Sequence, residues 1–144
     1  MKRYQIPVID AAGIPMVNFE AMDEVHREEV ALINHLGSLI TTGLDSTPDT
    51  NAITAKLYEW VEHTRAHFDS ENRMMETHGF PPYPVHRAEH ELMLSKIESQ
   101  QQQWLNEKEL NQLAEFIFVV WREWFDAHVK SMDTVTARFL SQVM

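Results

Sequence analysis

Apolar residues return every three or four positions through four long stretches of this 144-residue chain, and only short turn-forming segments separate them. A helix presents one face at that period, so each stretch is expected to fold as an amphipathic helix with an apolar stripe to bury. No segment alternates apolar and polar residues with the period of two that marks a strand.

The first stretch runs from about Phe19 to Thr41, with Met22, Val25, Leu32, Leu36 and Leu39 at helical steps, and Gly43 is expected to end it. Thr47 and Pro48 suit a helix start. The second stretch continues to about Thr77, with Ile53, Leu57, Trp60, Val61 and Phe68 on one side, before Gly79, Pro81 and Pro82 stop it. The third runs from about Pro84 to Trp104. Asn106 and Glu109 have the spacing of a capping box for the fourth. That helix carries Leu110, Leu113, Ile117, Val120, Trp121 and Trp124, and it reaches at least His128. Residues 1–18 hold Pro7, Gly13 and Pro15 without a helical period and read as an ordered arm, while 134–144 read as a short helical tail. The expected fold is all-α: one domain over 1–144, an up-down-up-down antiparallel four-helix bundle at 19–133 with an N-terminal arm.

Composition narrows the chemistry. The absence of cysteine removes disulfides, thiolate metal sites, iron–sulfur clusters and cysteine nucleophiles. Twelve basic against twenty-two acidic residues give a net charge of −10, which argues against nucleic acid and anionic membrane as partners. No run approaches the ~20 apolar residues that span a bilayer. The start, MKRYQIPVIDAAG, lacks the apolar core of a signal peptide, so the expected location is the cytoplasm. What stands out is eight histidines. Sites built from nitrogen and oxygen ligands suit zinc, copper, iron or manganese.

The histidines fall into a pattern. His86 and His90 sit four residues apart on the third helix, on one face one turn apart. His67 and Glu71 repeat that spacing on the second. His26 lies early on the first helix, and His128 and Asp133 lie late on the fourth. In an antiparallel bundle all these levels fall at one end. The seven residues are too many for one ion. Two ions sharing two carboxylates accommodate them, because each carboxylate has two oxygens and can bridge. The five-residue step from His128 to Asp133 then acquires a meaning. On a regular helix it turns by about 140°, so the two side chains cannot share a face. The helix is expected to end, bend or widen into a π-turn there and aim Asp133 into the gap between two ions.

His26, the HFDSE motif from His67, the YPVHRAEH segment around His86 and His90, and HVKSMD from His128 together resemble the hemerythrin family, in particular single-domain bacterial hemerythrins, over residues 19–133. The resemblance implies two non-haem irons per chain. By position, His86, His90 and His128 would hold one iron and His26 and His67 the other. Glu71 and Asp133 would bridge them with an oxo or hydroxo group. It also implies an open position on the second iron, where dioxygen binds in the family. One departure is visible: IPMVNFEAMD, before and into the first helix, carries Phe19 but no tryptophan, which family members often have there.

The expected function is reversible dioxygen binding, as carrier, store, delivery protein or sensor, and not an enzyme. Catalytic di-iron bundles are carboxylate-rich and use Glu-x-x-His on two helices. No glutamate here is followed three residues later by histidine. The alternative is a di-iron enzyme or a protein that handles nitric oxide or peroxide, which an acid or tyrosine near the open iron would favour. The partner, besides dioxygen, would be an oxygen-using or reductase protein, and the favoured oligomeric state is the monomer. Three histidines remain. His63 forms a rival pair with His67 but is expected one turn off the site or donating a hydrogen bond beside it. His35 is expected at the surface or core edge and His78 in a solvated loop. Trp121 or Trp124, with Ile117 or Leu113, is a candidate for lining a gas pocket.

Overall fold

A computed structural model describes residues 4–144. Four helices form an all-α bundle, and among the described residues there is no strand. Helix α1 spans Glu20–Asp45, α2 Thr50–Thr77 and α3 Tyr83–Glu107. Helix α4 covers 110–143 without a break, its backbone staying in the right-handed region while its winding changes. It begins as an α-helix at Leu110–Glu115, widens to a π-helix at Phe116–Trp121, returns to α at Arg122–His128, widens again at Val129–Asp133, and finishes as α at Thr134–Val143. The tail, expected as a separate piece, is the end of α4.

The helices pack in ring order, α1 against α2, α2 against α3, and α4 closing against α1 and α3. Short links force this up-and-down course. One end of the bundle is filled by apolar side chains, among them the fully buried Ile40, Ile53, Leu57, Ile97, Trp104 and Leu113. Trp104 lends its indole N–H to Thr54 Oγ1 at 2.9 Å, so its one polar atom is not stranded in that core. The opposite end holds the polar residues described below.

Three junctions depart from the sequence reading. Gly43 does not end α1, which runs on to Asp45. A Cβ there would stand 3.0 Å from Leu110 Cδ2 and 3.1 Å from Pro48 Cα, so the glycine serves close packing of the α1–α2 link against α4. Helix α2 starts at Thr50, not Pro48, with the Asp49 side chain accepting from Ala52 N–H at 3.0 Å. Asn106 caps nothing: it lies in the last turn of α3, and α4 starts behind Glu109, which makes no side-chain cap. Lys108 takes the left-handed conformation, φ 53°, that turns the chain between them. Gly79, at φ 67°, follows the C-cap of α2 in the position that glycine suits.

Of the arm read over 1–18, the first three residues lie outside the described ones. The rest packs along α1 and α4, with Tyr4 stacked on Phe118 at 4.8 Å. Asn34 clamps Ile9 through a pair of hydrogen bonds, 3.0 Å to its N–H and 2.8 Å to its carbonyl. The buried Asp23 accepts from Val17 N–H at 2.9 Å. No helix among the described residues is long and apolar enough to cross a membrane.

Candidate metal centre

Each helix delivers its side chains to the polar end for a local reason. His86 and His90 project from the first two turns of α3, which the Pro82–Tyr83–Pro84 start fixes in place. His67 and Glu71 lie one turn apart near the end of α2 and His26 near the start of α1. On α4 the π segment Val129–Asp133 separates His128 from Asp133. A π-turn holds one more residue than an α-turn. The extra residue brings Asp133 round to the face that His128 uses.

All seven residues are brought together and buried. Their oxygens divide. Glu71 Oε2 is 2.6 Å from His67 Nε2 and 3.9 Å from His26 Nε2. Glu71 Oε1 turns the other way, 3.5 Å from His86 Nε2 and 3.4 Å from His90 Nε2. Asp133 does the same, with Oδ2 3.0 Å from His26 Nε2 and Oδ1 3.1 Å from both His86 Nε2 and His128 Nε2. One oxygen of each carboxylate thus faces the pair His26 and His67, and the other faces the trio His86, His90 and His128. Within each group candidate ligand atoms lie within 4.8 Å of one another.

The centre is poorly satisfied as a hydrogen-bonded core. Glu71 Oε1, both Asp133 oxygens, His90 Nε2 and both His26 nitrogens are buried without a hydrogen-bond partner. Each such group costs on the order of 1–3 kcal/mol. A domain's whole stability is about 5–15 kcal/mol, so a fold gains nothing by gathering them unless a cation completes them. All but His26 Nδ1 point into the shared space. The donor set, imidazole nitrogen with carboxylate oxygen, fits non-haem iron.

The outer nitrogens are mostly partnered. His86 Nδ1–H donates to Thr136 Oγ1 at 2.8 Å, His90 to Asn72 Oδ1 at 2.9 Å, and His128 to Glu89 Oε1 at 2.6 Å. His67 Nδ1–H donates to Glu29 Oε1 at 3.1 Å. With Nδ1 carrying the outward proton, Nε2 is left to face inward. Charge reinforces the cluster. Burial and the neighbouring Asp133 push the Glu71 carboxyl up, but His67 and His90 outweigh them and hold it down to about 2. Burial likewise opposes ionisation of Asp133, but the close approach of the His128, His26 and His86 imidazoles holds it well below its ordinary range. His67 sits well above its usual 6.5, because Glu71 and Glu29 together outweigh its burial.

Aromatic rings wall the site. Phe68 stacks on His90 at 4.1 Å and Trp124 on His128 at 4.5 Å, while Phe125 meets His26 edge-on at 5.7 Å. A narrow cleft runs among Glu29, His67, Phe68, Trp121, Trp124, Phe125, His128 and Asp133.

The sequence profile of the "Hemerythrin HHE cation binding domain" matches residues 17–140, most of the chain and every residue of this cluster. The chain belongs to the hemerythrin family. A bacteriohemerythrin of Aquifex aeolicus (strain VF5) is 29% identical over 119 residues, 83% of this chain and 87% of that protein. A bacteriohemerythrin of Ralstonia nicotianae (strain ATCC BAA-1114 / GMI1000) is 29% identical over 137 residues, 95% and 92% of the two chains. A third, of Stenotrophomonas maltophilia (strain R551-3), is 26% identical over 81 residues, 56% and 50% of the two. Hemerythrins bind non-haem iron, and this one gathers His, Glu and Asp side chains as candidate ligands.

The remaining histidines of this hemerythrin stay out of the cluster. His63 Nδ1 is 3.1 Å from Glu29 Oε1, beside the site. His35 is exposed, and His78, expected in a solvated loop, is the half-buried C-cap of α2. Trp121 and Trp124 line the cleft, whereas Ile117 and Leu113 belong to the buried core. Sequence reasoning missed Glu29, Thr136, Asn72 and Glu89. Glu29 alone carried a signal: it lies three residues after His26, on the face of α1 that also buries Met22, Val30 and Ile33.

Proposed function

We propose that this hemerythrin binds dioxygen reversibly at a non-haem di-iron centre held by His26, His67, Glu71, His86, His90, His128 and Asp133. The observation that carries the reading is the division of the two carboxylates, one oxygen of each toward two histidines and the other toward three. Two ferrous ions bridged by Glu71, Asp133 and an oxo or hydroxo group would supply the electrons that dioxygen draws on, with the open coordination position on the two-histidine side.

The chain's own part is to orient and to exclude. His86, His90 and His128 complete one set of ligands. His26 and His67 leave the other set one short. Beside it, Phe68, Trp121, Trp124 and Phe125 form an apolar wall. Such a wall offers few protons, which protects a bound oxygen molecule from reduction and release as peroxide. The role this reading assigns is oxygen carrier, store, delivery protein to an oxygen-using or reductase protein, or sensor, as a monomer in the cytoplasm.

One observation bears on the rival reading, a di-iron enzyme or a protein handling nitric oxide or peroxide. Glu29 is an acid on the cleft. Its oxygens, however, already receive Trp60 N–H, Thr64 O–H and the Nδ1 protons of His63 and His67. Burial pushes its carboxyl up, but hydrogen bonds from His63 and His67 hold it down to about 2, so it accepts protons' hydrogen bonds and has none to give. That favours the carrier.

The test is spectroscopic. Iron-loaded protein is reduced without air, exposed to oxygen and purged with inert gas. A visible charge-transfer band that appears and disappears reversibly supports the carrier. One-way oxidation with release of peroxide puts the enzyme first.

A further inference from the structure

Glu29 is a buried acid outside the ligand set, 2% exposed, one turn beyond His26 on α1. Its carboxylate is gripped by one face of α2. Oε2 receives Trp60 Nε1–H at 2.5 Å and Thr64 O–H at 2.8 Å. Oε1 receives both His63 Nδ1–H and His67 Nδ1–H at 3.1 Å. Positions 60, 63, 64 and 67 are the helical neighbours that share a face. Four donors converging on one carboxylate leave it a single orientation.

The two sides of the centre differ in how their histidines are anchored. On the three-histidine side each ring has its own outer acceptor, Thr136, Asn72 or Glu89. On the two-histidine side His26 Nδ1 has no hydrogen-bond partner among the described residues. Only His67 is anchored there, and its anchor is Glu29.

We propose that Glu29 is the positioning residue of the two-histidine side, fixing His67 with Nε2 turned to the metal, and that Trp60, His63 and Thr64 in turn fix Glu29. The inference rests on the two-metal reading above. An outer carboxylate holds a ligand imidazole in one tautomer and orientation and raises its basicity, and losing such a partner typically weakens metal binding 10–100-fold. Here the loss falls on one metal alone. A mere clip between α1 and α2 would loosen His26 and His67 together, so the conservative variants below, which keep the helices joined and change only the acceptor offered to His67, separate the two roles.

The test uses the iron-loaded protein against graded concentrations of an iron chelator, with Mössbauer spectra of the retained iron. In Glu29→Leu, one iron per chain is expected to leave at roughly 10–100-fold less chelator than in the parent, while the second stays. One of the two iron signals shifts and the other does not. Glu29→Gln keeps one oxygen acceptor for His67 but turns an amide NH2 toward Trp60 N–H and Thr64 O–H, so it is expected to release the same iron at a chelator concentration between those of the parent and Glu29→Leu. Glu29→Asp keeps the charge but draws the acceptor back by one methylene, so it is expected to release the same iron selectively. It decides the matter if the leucine variant does not fold. Retention of both irons in Leu and Asp variants overturns the proposal, as does simultaneous loss of both irons or a glutamine variant as leaky as leucine. A parent that holds fewer than two irons overturns the di-iron reading itself, and the proposal with it.

Discussion

The two halves of the candidate centre share their carboxylates and little else. His86, His90 and His128 come from α3 and α4, each with a separate outer acceptor, and two of the rings are braced face-to-face by Phe68 and Trp124. His26 and His67 come from α1 and α2. They have one outer acceptor between them, and their aromatic neighbours meet them tilted or edge-on. The three-histidine half is thus braced at every ring. The two-histidine half is lightly held, and one histidine of each half, His67 and His128, lines the cleft.

The largest expected effect removes the comparison altogether. Deleting Ser131 from the π segment Val129–Asp133 would restore regular α winding and rotate Asp133 by about 100° out of the gap. Both halves lose their shared oxygen donor, and iron analysis should find less than one iron per chain. Two irons retained would mean that the π segment does not aim Asp133. His67→Ala separates the halves. One iron should be lost or loosened and the other kept, and equal loss of both would contradict the assignment.

A pH series sharpens the contrast by sign. In the metal-free protein the His67 pKa lies well above 6.5, so its pairing with Glu71 contributes stability that is full below about 6.5 and lost as pH rises through the elevated value. Glu71, depressed to about 2 from 4.5, contributes stability above 4.5 that is lost as pH falls toward about 2. Metal binding demands neutral imidazole, so iron inverts the alkaline limb. As pH rises above about 6.5, thermal midpoints should fall without iron and hold with it. A metal-free midpoint that climbs over that range contradicts the pairing. The smallest expected effect is that of His35→Ala. The residue is exposed on α1 and absent from the cluster, so iron content should not change and stability should move by less than about 0.5 kcal/mol.

The fold was legible because its determinants are local. Apolar stripes at helical spacing and the Gly79–Pro81–Pro82 stop need no partner to be read. Gly43 and the Asn106–Glu109 pair misled for a shared reason. A glycine that admits Leu110 and a left-handed Lys108 act through neighbours brought close only by the fold. The candidate ligands were legible for the same reason as the helices. Steps of four residues declare a common face, and a step of five, futile on an α-helix, pointed to the π-turn that the structure has at Val129–Asp133. The Glu29 contacts were not legible. Trp60 and His67 lie 31 and 38 residues from it, and nothing in their spacing sets which face of α1 meets which face of α2. The second widening, at Phe116–Trp121, was not anticipated either.

The central claim is that two irons sit here on shared carboxylates. Anomalous X-ray diffraction at the iron absorption edge, from crystals of iron-loaded protein, tests it most directly. The account predicts two peaks per chain, one against Nε2 of His86, His90 and His128 and one against Nε2 of His26 and His67, with Glu71 and Asp133 between them. A single peak, or two peaks of which Asp133 touches only one, would contradict it.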